Sequence, residues 1–120
     1  MQEEVRKWIG QAERDLITAK NSFKSNDYYA SAYWAQQVVE KALKALLIKS
    51  SGQFPKVHDL TRLAKLINAP NKIIELCAKL NPSYTDSRYP NSFKPYNKSE
   101  SKESLKYAEE VLKWIKENLK

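Results

Sequence analysis

The sequence predicts an all-α protein, an up-down bundle of four to five helices in one domain spanning residues 1–120. Three observations carry that prediction. Apolar residues recur at three- and four-residue intervals in long segments, the helical period, and no segment shows the two-residue alternation of a half-buried strand. Two glycines and five prolines in 120 residues are too few for a turn-rich β fold. One stretch, Tyr28–Lys49, is apolar around more than half of its helical circumference, as a helix with neighbours on several sides must be.

The first helix is expected over about residues 2–24, where Val5, Trp8, Ile9, Ala12, Leu16, Ala19 and Phe23 share one face. Glu3 and Glu4 lie in its first turn, where negative charge suits the helix dipole. Ser25-Asn26-Asp27 is a short turn with Asp27 or Asn26 as cap, which makes the first two helices antiparallel neighbours. The second is Tyr28–Lys49. Its apolar arc holds Tyr28, Ala32, Ala35, Val39, Ala42, Leu43, Leu46 and Leu47, widened by Trp34, Val38 and Ala45. Gln37, Glu40, Lys41 and Lys44 remain as a thin polar strip, read most simply as the solvated side. Gly52 is a suitable C-terminal stop.

A shorter helix follows, with Asp59 as cap and Leu60, Leu63, Ala64, Leu66 and Ile67 as its buried side. Pro70 suits the first turn of the next, in which Ile73, Ile74, Cys77 and Leu80 form a stripe, and Asn81-Pro82 ends it. Residues 82–97 contain three prolines and four aromatics, Tyr84, Tyr89, Phe93 and Tyr96. Disordered segments are poor in aromatics, so an ordered loop lying on the helices is expected. Asn97 with Glu100 can box the start of the last helix, built on Leu105, Ala108, Leu112, Ile115 and Leu119. Tyr107, Val111 and Trp114 form a second stripe on that helix, available to a second protein.

The net charge of +7 is concentrated in the middle of the chain. Residues 41–98 carry eleven basic and three acidic side chains, whereas 1–40 carry five and six, and 99–120 five of each. A basic excess suits a phosphate-bearing partner, nucleotide or RNA, and equally a lysine-rich soluble face. No run approaches the ~18 apolar residues of a membrane span. The start of the chain lacks the apolar core of a signal peptide, so no membrane association and a cytoplasmic location are expected.

Catalytic groupings are scarce. No glycine-rich phosphate loop is present. One histidine and one cysteine cannot form a zinc site from those ligands, so no metal and no cofactor are expected. Cys77 reads as a packing thiol. His58 reads first as a structural residue, bonded to backbone or to Asp59. Arg88 can grip a phosphate bidentately, or pair with Asp86 or Glu40 to pin the loop. Tyr84 and Tyr89 can stack on a base or anchor the loop.

Four stretches together resemble the HEPN domain family: Trp8 with Ala12-Glu13-Arg14-Asp15-Leu16 and Ala19; Ala35 to Leu46; His58-Asp59-Leu60; and Asp86-Ser87-Arg88-Tyr89-Pro90. The resemblance implies a nucleotide-binding helical bundle, related to nucleotidyltransferase substrate-binding domains, that usually dimerises. It implies, for stand-alone members, pairing with a minimal nucleotidyltransferase in a two-component, toxin–antitoxin-like system. Other members are metal-independent endoribonucleases with an Arg-x(4–6)-His motif. Here the only histidine is His58, with no arginine five to seven residues before it. From Arg88 the motif histidine would fall on Phe93, Lys94 or Pro95. No catalytic pair is therefore carried over. The nucleotide- or phosphate-binding candidates are Arg88, Tyr84, Tyr89, Asp86, His58 and Lys41, flanked by the strip Gln37, Glu40 and Lys44. A homodimer and a nucleotidyltransferase are the expected partners. A divergent ribonuclease and a non-catalytic interaction module are the alternatives.

Overall fold

The structure, a computed structural model, describes residues 2–86 and 95–120. Among the described residues six helical segments follow one another: α1 Glu3–Lys24, α2 Tyr28–Ser51, α3 Leu60–Leu66, α4 Asn71–Leu80, the single turn α5 Pro82–Asp86, and α6 Lys98–Asn118. The described residues contain no strand, and the chain is an all-α bundle as its periodicity requires.

α2 touches every other helix. That is the structural counterpart of its wide apolar arc: Ala35, Val38, Val39, Ala42, Leu43 and Ala45 are all completely buried. Around them a single core gathers Val5 and Ile9 of α1, Leu60 and Leu63 of α3, Cys77 and Leu80 of α4, and Val111 and Ile115 of α6. Each large side chain so enclosed contributes roughly 1.5–3 kcal/mol.

The ends of the helices follow local chemistry. Gly52 adopts a left-handed φ of 81°, and its N–H bonds to Ile48 O at 2.8 Å, ending α2 at Ser51 with Gly52 as the expected stop. Asp59 caps α3 by accepting from Thr61 N at 3.0 Å. Asn97 and Glu100 form the expected capping box, with bonds of 2.8 and 3.1 Å.

Three expectations are corrected. Pro70 is the N-cap of α4 rather than a residue of its first turn; its carbonyl accepts from Ile73 and Ile74. The segment read as one loop over 82–97 begins with a helical turn, α5, because Pro82 fits a first helical position. The second stripe of α6 is not an open face: Val111 is wholly buried, and Tyr107 and Trp114 pack half-buried on the core.

Candidate functional site

The polar strip of α2 is the place where folding departs most from a helical-wheel reading. Gln37, Glu40 and Lys44 are 9, 4 and 6% exposed, so the strip is covered rather than solvated. The connection between α2 and α3 supplies much of the cover. Phe54, in that connection, meets Trp8 of α1 edge to face at 4.9 Å, and its ring lies 5.1 Å from Lys44 Nζ.

Burying a carboxylate and an ammonium is costly unless each finds partners. Glu40 has three. Lys44 Nζ donates to Oε2 at 3.0 Å. His58 Nδ1 lies 3.1 and 3.0 Å from the two oxygens. Gln36 Nε2 reaches Oε1 at 3.4 Å and the His58 carbonyl at the same distance. Gln37 donates in turn to Gln36 Oε1 at 2.7 Å. Gln36 is completely buried and was missed in the sequence. The signal was available: residues 36, 40 and 44 form one row at four-residue spacing.

His58 carries this network to the surface. Its side chain is half exposed while that of Glu40 is 6% exposed. The Tyr84 ring of α5 stacks on the imidazole at 4.3 Å and 18°. Beyond it Tyr33 lies 6.5 Å from Tyr84 and 5.3 Å from Trp34, extending an aromatic run along α2. An open depression of about 400 Å³ lies here, lined by His58, Asp59, Asn81, Pro82, Tyr84 and Thr85.

Its wall is held from behind. Asn81 Oδ1 accepts from Leu60 N at 2.8 Å, and Asn81 Nδ2 donates to Asp59 Oδ1 at 2.8 Å. Thr61 Oγ1 donates to the same oxygen at 2.7 Å. These side-chain bonds, Thr61 first and then Asn81, hold the Asp59 carboxyl below its ordinary value of 3.8. His58 therefore does not bond to Asp59, as the sequence suggested; its ring turns to Glu40 and leaves Asp59 to cap.

The remaining candidates are placed differently. Lys41 is drawn toward α1, where it pairs with Asp15 and lies 5.8 Å from the Trp34 ring. Asp86 ends α5. Arg88 and Tyr89 lie outside the described residues, and so does any Arg88–Glu40 pair. Among the described residues no cluster of three His, Cys, Asp or Glu side chains could hold a metal ion. None of their helices is long and apolar enough to cross a membrane. Cys77 is buried, and burial pushes its thiol up to about 12, which suits packing and not nucleophilic chemistry.

Three of the stretches that suggested a family lie among the described residues and meet around α2, and the fourth falls largely outside them; comparison with known proteins agrees on the family. The model of the HEPN domain matches residues 5–119. The chain belongs to the HEPN family. A Methanocaldococcus jannaschii protein named "Putative toxin MJ1304" is 37% identical, over 94% of this chain and 86% of its own length. Among solved structures, ST0689, described as an archaeal HEPN homologue, superposes with a TM-score of 0.84 at 32% identity, all of both chains being covered. TT1696 from Thermus thermophilus gives 0.88 at 28% identity over 97% of this HEPN chain and 98% of the other.

Proposed function

We propose that this HEPN protein is one member of a two-component, toxin–antitoxin-like pair, and that it binds a nucleotide or a minimal nucleotidyltransferase partner, as a dimer in the cytoplasm. The observation that carries the reading is the likeness to the protein named as a toxin, because it runs through nearly the whole of both chains. A shared accessory segment would not produce that coverage. The exposed His58–Tyr84 stack beside a depression supports a ligand site at this place, since flat rings accept nucleobases and sugars by stacking. Arg88 joins it in the proposal as the phosphate-binding cation, with Tyr89 and Asp86 as neighbouring candidates and Lys41 as a more distant cation.

The ribonuclease alternative has one observation in its favour, an imidazole held by a buried carboxylate. Against it stands the absence of an arginine at the motif spacing.

The test has two arms. Induced alone in a bacterial host, the chain is expected to slow growth, and co-expression with a nucleotidyltransferase encoded beside it should relieve the effect and co-purify. In solution, AMP is expected to bind at low salt and weaken as salt rises, because exposed charge pairs are screened. A chain that neither alters growth, nor retains such a partner, nor binds AMP would overturn the proposal.

A further inference from the structure

We propose that Glu40 fixes the tautomer of His58, so that Nε2 is the atom that reads a ligand, and that the ligand's hydroxyl- or amino-bearing end, not its phosphate, lies in this depression. The inference rests on the nucleotide-binding reading above and assigns which part of the nucleotide goes where.

The argument begins with what a carboxylate can do. Ionised, it only accepts hydrogen bonds. Paired with the Lys44 ammonium at 3.0 Å, the Glu40 carboxylate presents acceptors only, and both its oxygens lie within 3.1 Å of Nδ1. Nδ1 must therefore carry the hydrogen, in the neutral ring as in the charged one. The lone pair of the neutral ring is left on Nε2, at the far edge of the imidazole. No described residue takes it. Stacking against Tyr84 fixes the plane of the ring, and the Glu40 contact fixes its rotation. Such second-layer orientation of an imidazole by a buried acceptor sets which nitrogen works.

The wall around Nε2 has a matching character. Asp59 accepts all its recorded bonds at Oδ1, from Thr61, Arg62 and Asn81, which leaves Oδ2 with acceptor capacity. The described wall therefore offers acceptors at Nε2 and a carboxylate oxygen, with the Thr85 hydroxyl able to donate or accept, and no lysine or arginine among the described residues lines it. Phosphate would meet repulsion from Asp59 there. Ribose hydroxyls or a base amino group would meet two acceptors. Among the described residues the charged groups near His58 are Glu40 and Lys44 from α2 and Asp59 beside it; Tyr84 from α5 is the neighbouring titratable ring.

A single histidine makes the test direct. Long-range ¹H–¹⁵N spectra of the labelled protein at pH 8 should show a protonated Nδ1 and a bare Nε2. Adenosine and AMP should shift the Nε2 signal, whereas inorganic phosphate alone should not. His58→Asn keeps an N–H near the place of Nδ1–H, and should keep the thermal midpoint while weakening AMP at least tenfold. Glu40→Gln should release the tautomer preference and weaken AMP similarly. A protonated Nε2 at pH 8 overturns the inference. So does AMP binding that leaves Nε2 unmoved and His58→Asn unaffected, in which case nucleotide binding stands and its location fails. If adenosine, AMP and phosphate all fail to bind the folded wild type, the nucleotide reading falls and this assignment falls with it.

Discussion

Lys41 and Lys44 stand one helical turn apart on α2, and each meets a buried carboxylate. Lys41 reaches Asp15, which is 2% exposed and whose other oxygen accepts from Gln11 at 3.0 Å. That pair ties α1 to α2, and its hydrogen bonds go no further than Gln11. Lys44 reaches Glu40, and Glu40 continues through His58 to Tyr84 and the surface. The same chemistry thus appears once as a closed tie and once as a support with an outlet. A buried ion pair is weak evidence for stability, since replacing both partners by apolar groups is often neutral. What sets the second pair apart is the exposed imidazole that it orients.

The largest effect should come from breaking the second pair on one side only. Glu40→Ala leaves the Lys44 ammonium buried beside Phe54 with no anion, and is expected to cost about 3–5 kcal/mol in urea unfolding. Replacing Glu40 and Lys44 together by methionine removes both charges and should restore most of that loss. The double variant should still lack the fixed tautomer of His58. Stability regained with AMP binding also regained would show that Glu40 serves packing alone.

Asp15→Ala is the matching cut on the other side. The Lys41 side chain is 20% exposed, against 7% for Lys44, so its ammonium can turn toward water. The expected cost is about 1–3 kcal/mol, the range for an uncompensated polar group, with AMP binding unchanged. Equal damage to AMP binding from Asp15→Ala and His58→Asn would erase the distinction between the two lysines.

The reason neither of these pairs stood out in the sequence is physical. A helical wheel reports which side of α2 is polar, and it placed the core correctly because so much of that circumference is apolar. It cannot report what arrives to cover the remaining strip. Burial of Glu40 and Lys44 depends on Phe54 and His58, which come from an irregular connection with no period to read. Asp15 was seen only as part of a family-like stretch, because its burial depends on Lys41, 26 residues away. The caps at Asp59 and Asn97 were legible because they are local, and a cap is decided within about four residues. Arg88 and Tyr89, singled out for the chemistry of their side chains, lie outside the described residues and remain candidates.

Asp59 lies next to the outlet and tests how far the surface half depends on its support. Asp59→Ala removes the cap of α3 and the acceptor of Asn81, and should cost about 1 kcal/mol in thermal unfolding. The native state holds this carboxyl below 3.8, so folding favours the ionised form. Its stabilisation is complete above the ordinary value and disappears as pH falls through the lowered one. The difference between wild type and Asp59→Ala should therefore be constant from pH 8 to 5 and narrow below 3.8. A gap that stays constant to lower pH would assign the stability to something other than the charged cap.

The smallest effect is kinetic, and it compares the two sides through the reactivity of one buried thiol. Cys77 lies wholly buried on α4, and its carbonyl accepts from Asn81 N at 3.0 Å, so it sits behind the Asn81–Asp59 wall. With a thiol raised to about 12 it should react with a thiol reagent only when this side opens, because the thiolate is the nucleophile. Opening that involves only the α3–α4 side should be faster than global unfolding. Asp59→Ala is then expected to speed labelling by about fivefold, its full loss of roughly 1 kcal/mol appearing in the opening step. Asp15→Ala, although more destabilising overall, should change the rate less, because the tie it cuts joins α1 to α2. Equal acceleration by both would mean that the bundle opens as one unit, and that the wall around His58 has no independent motion with which to admit a ligand.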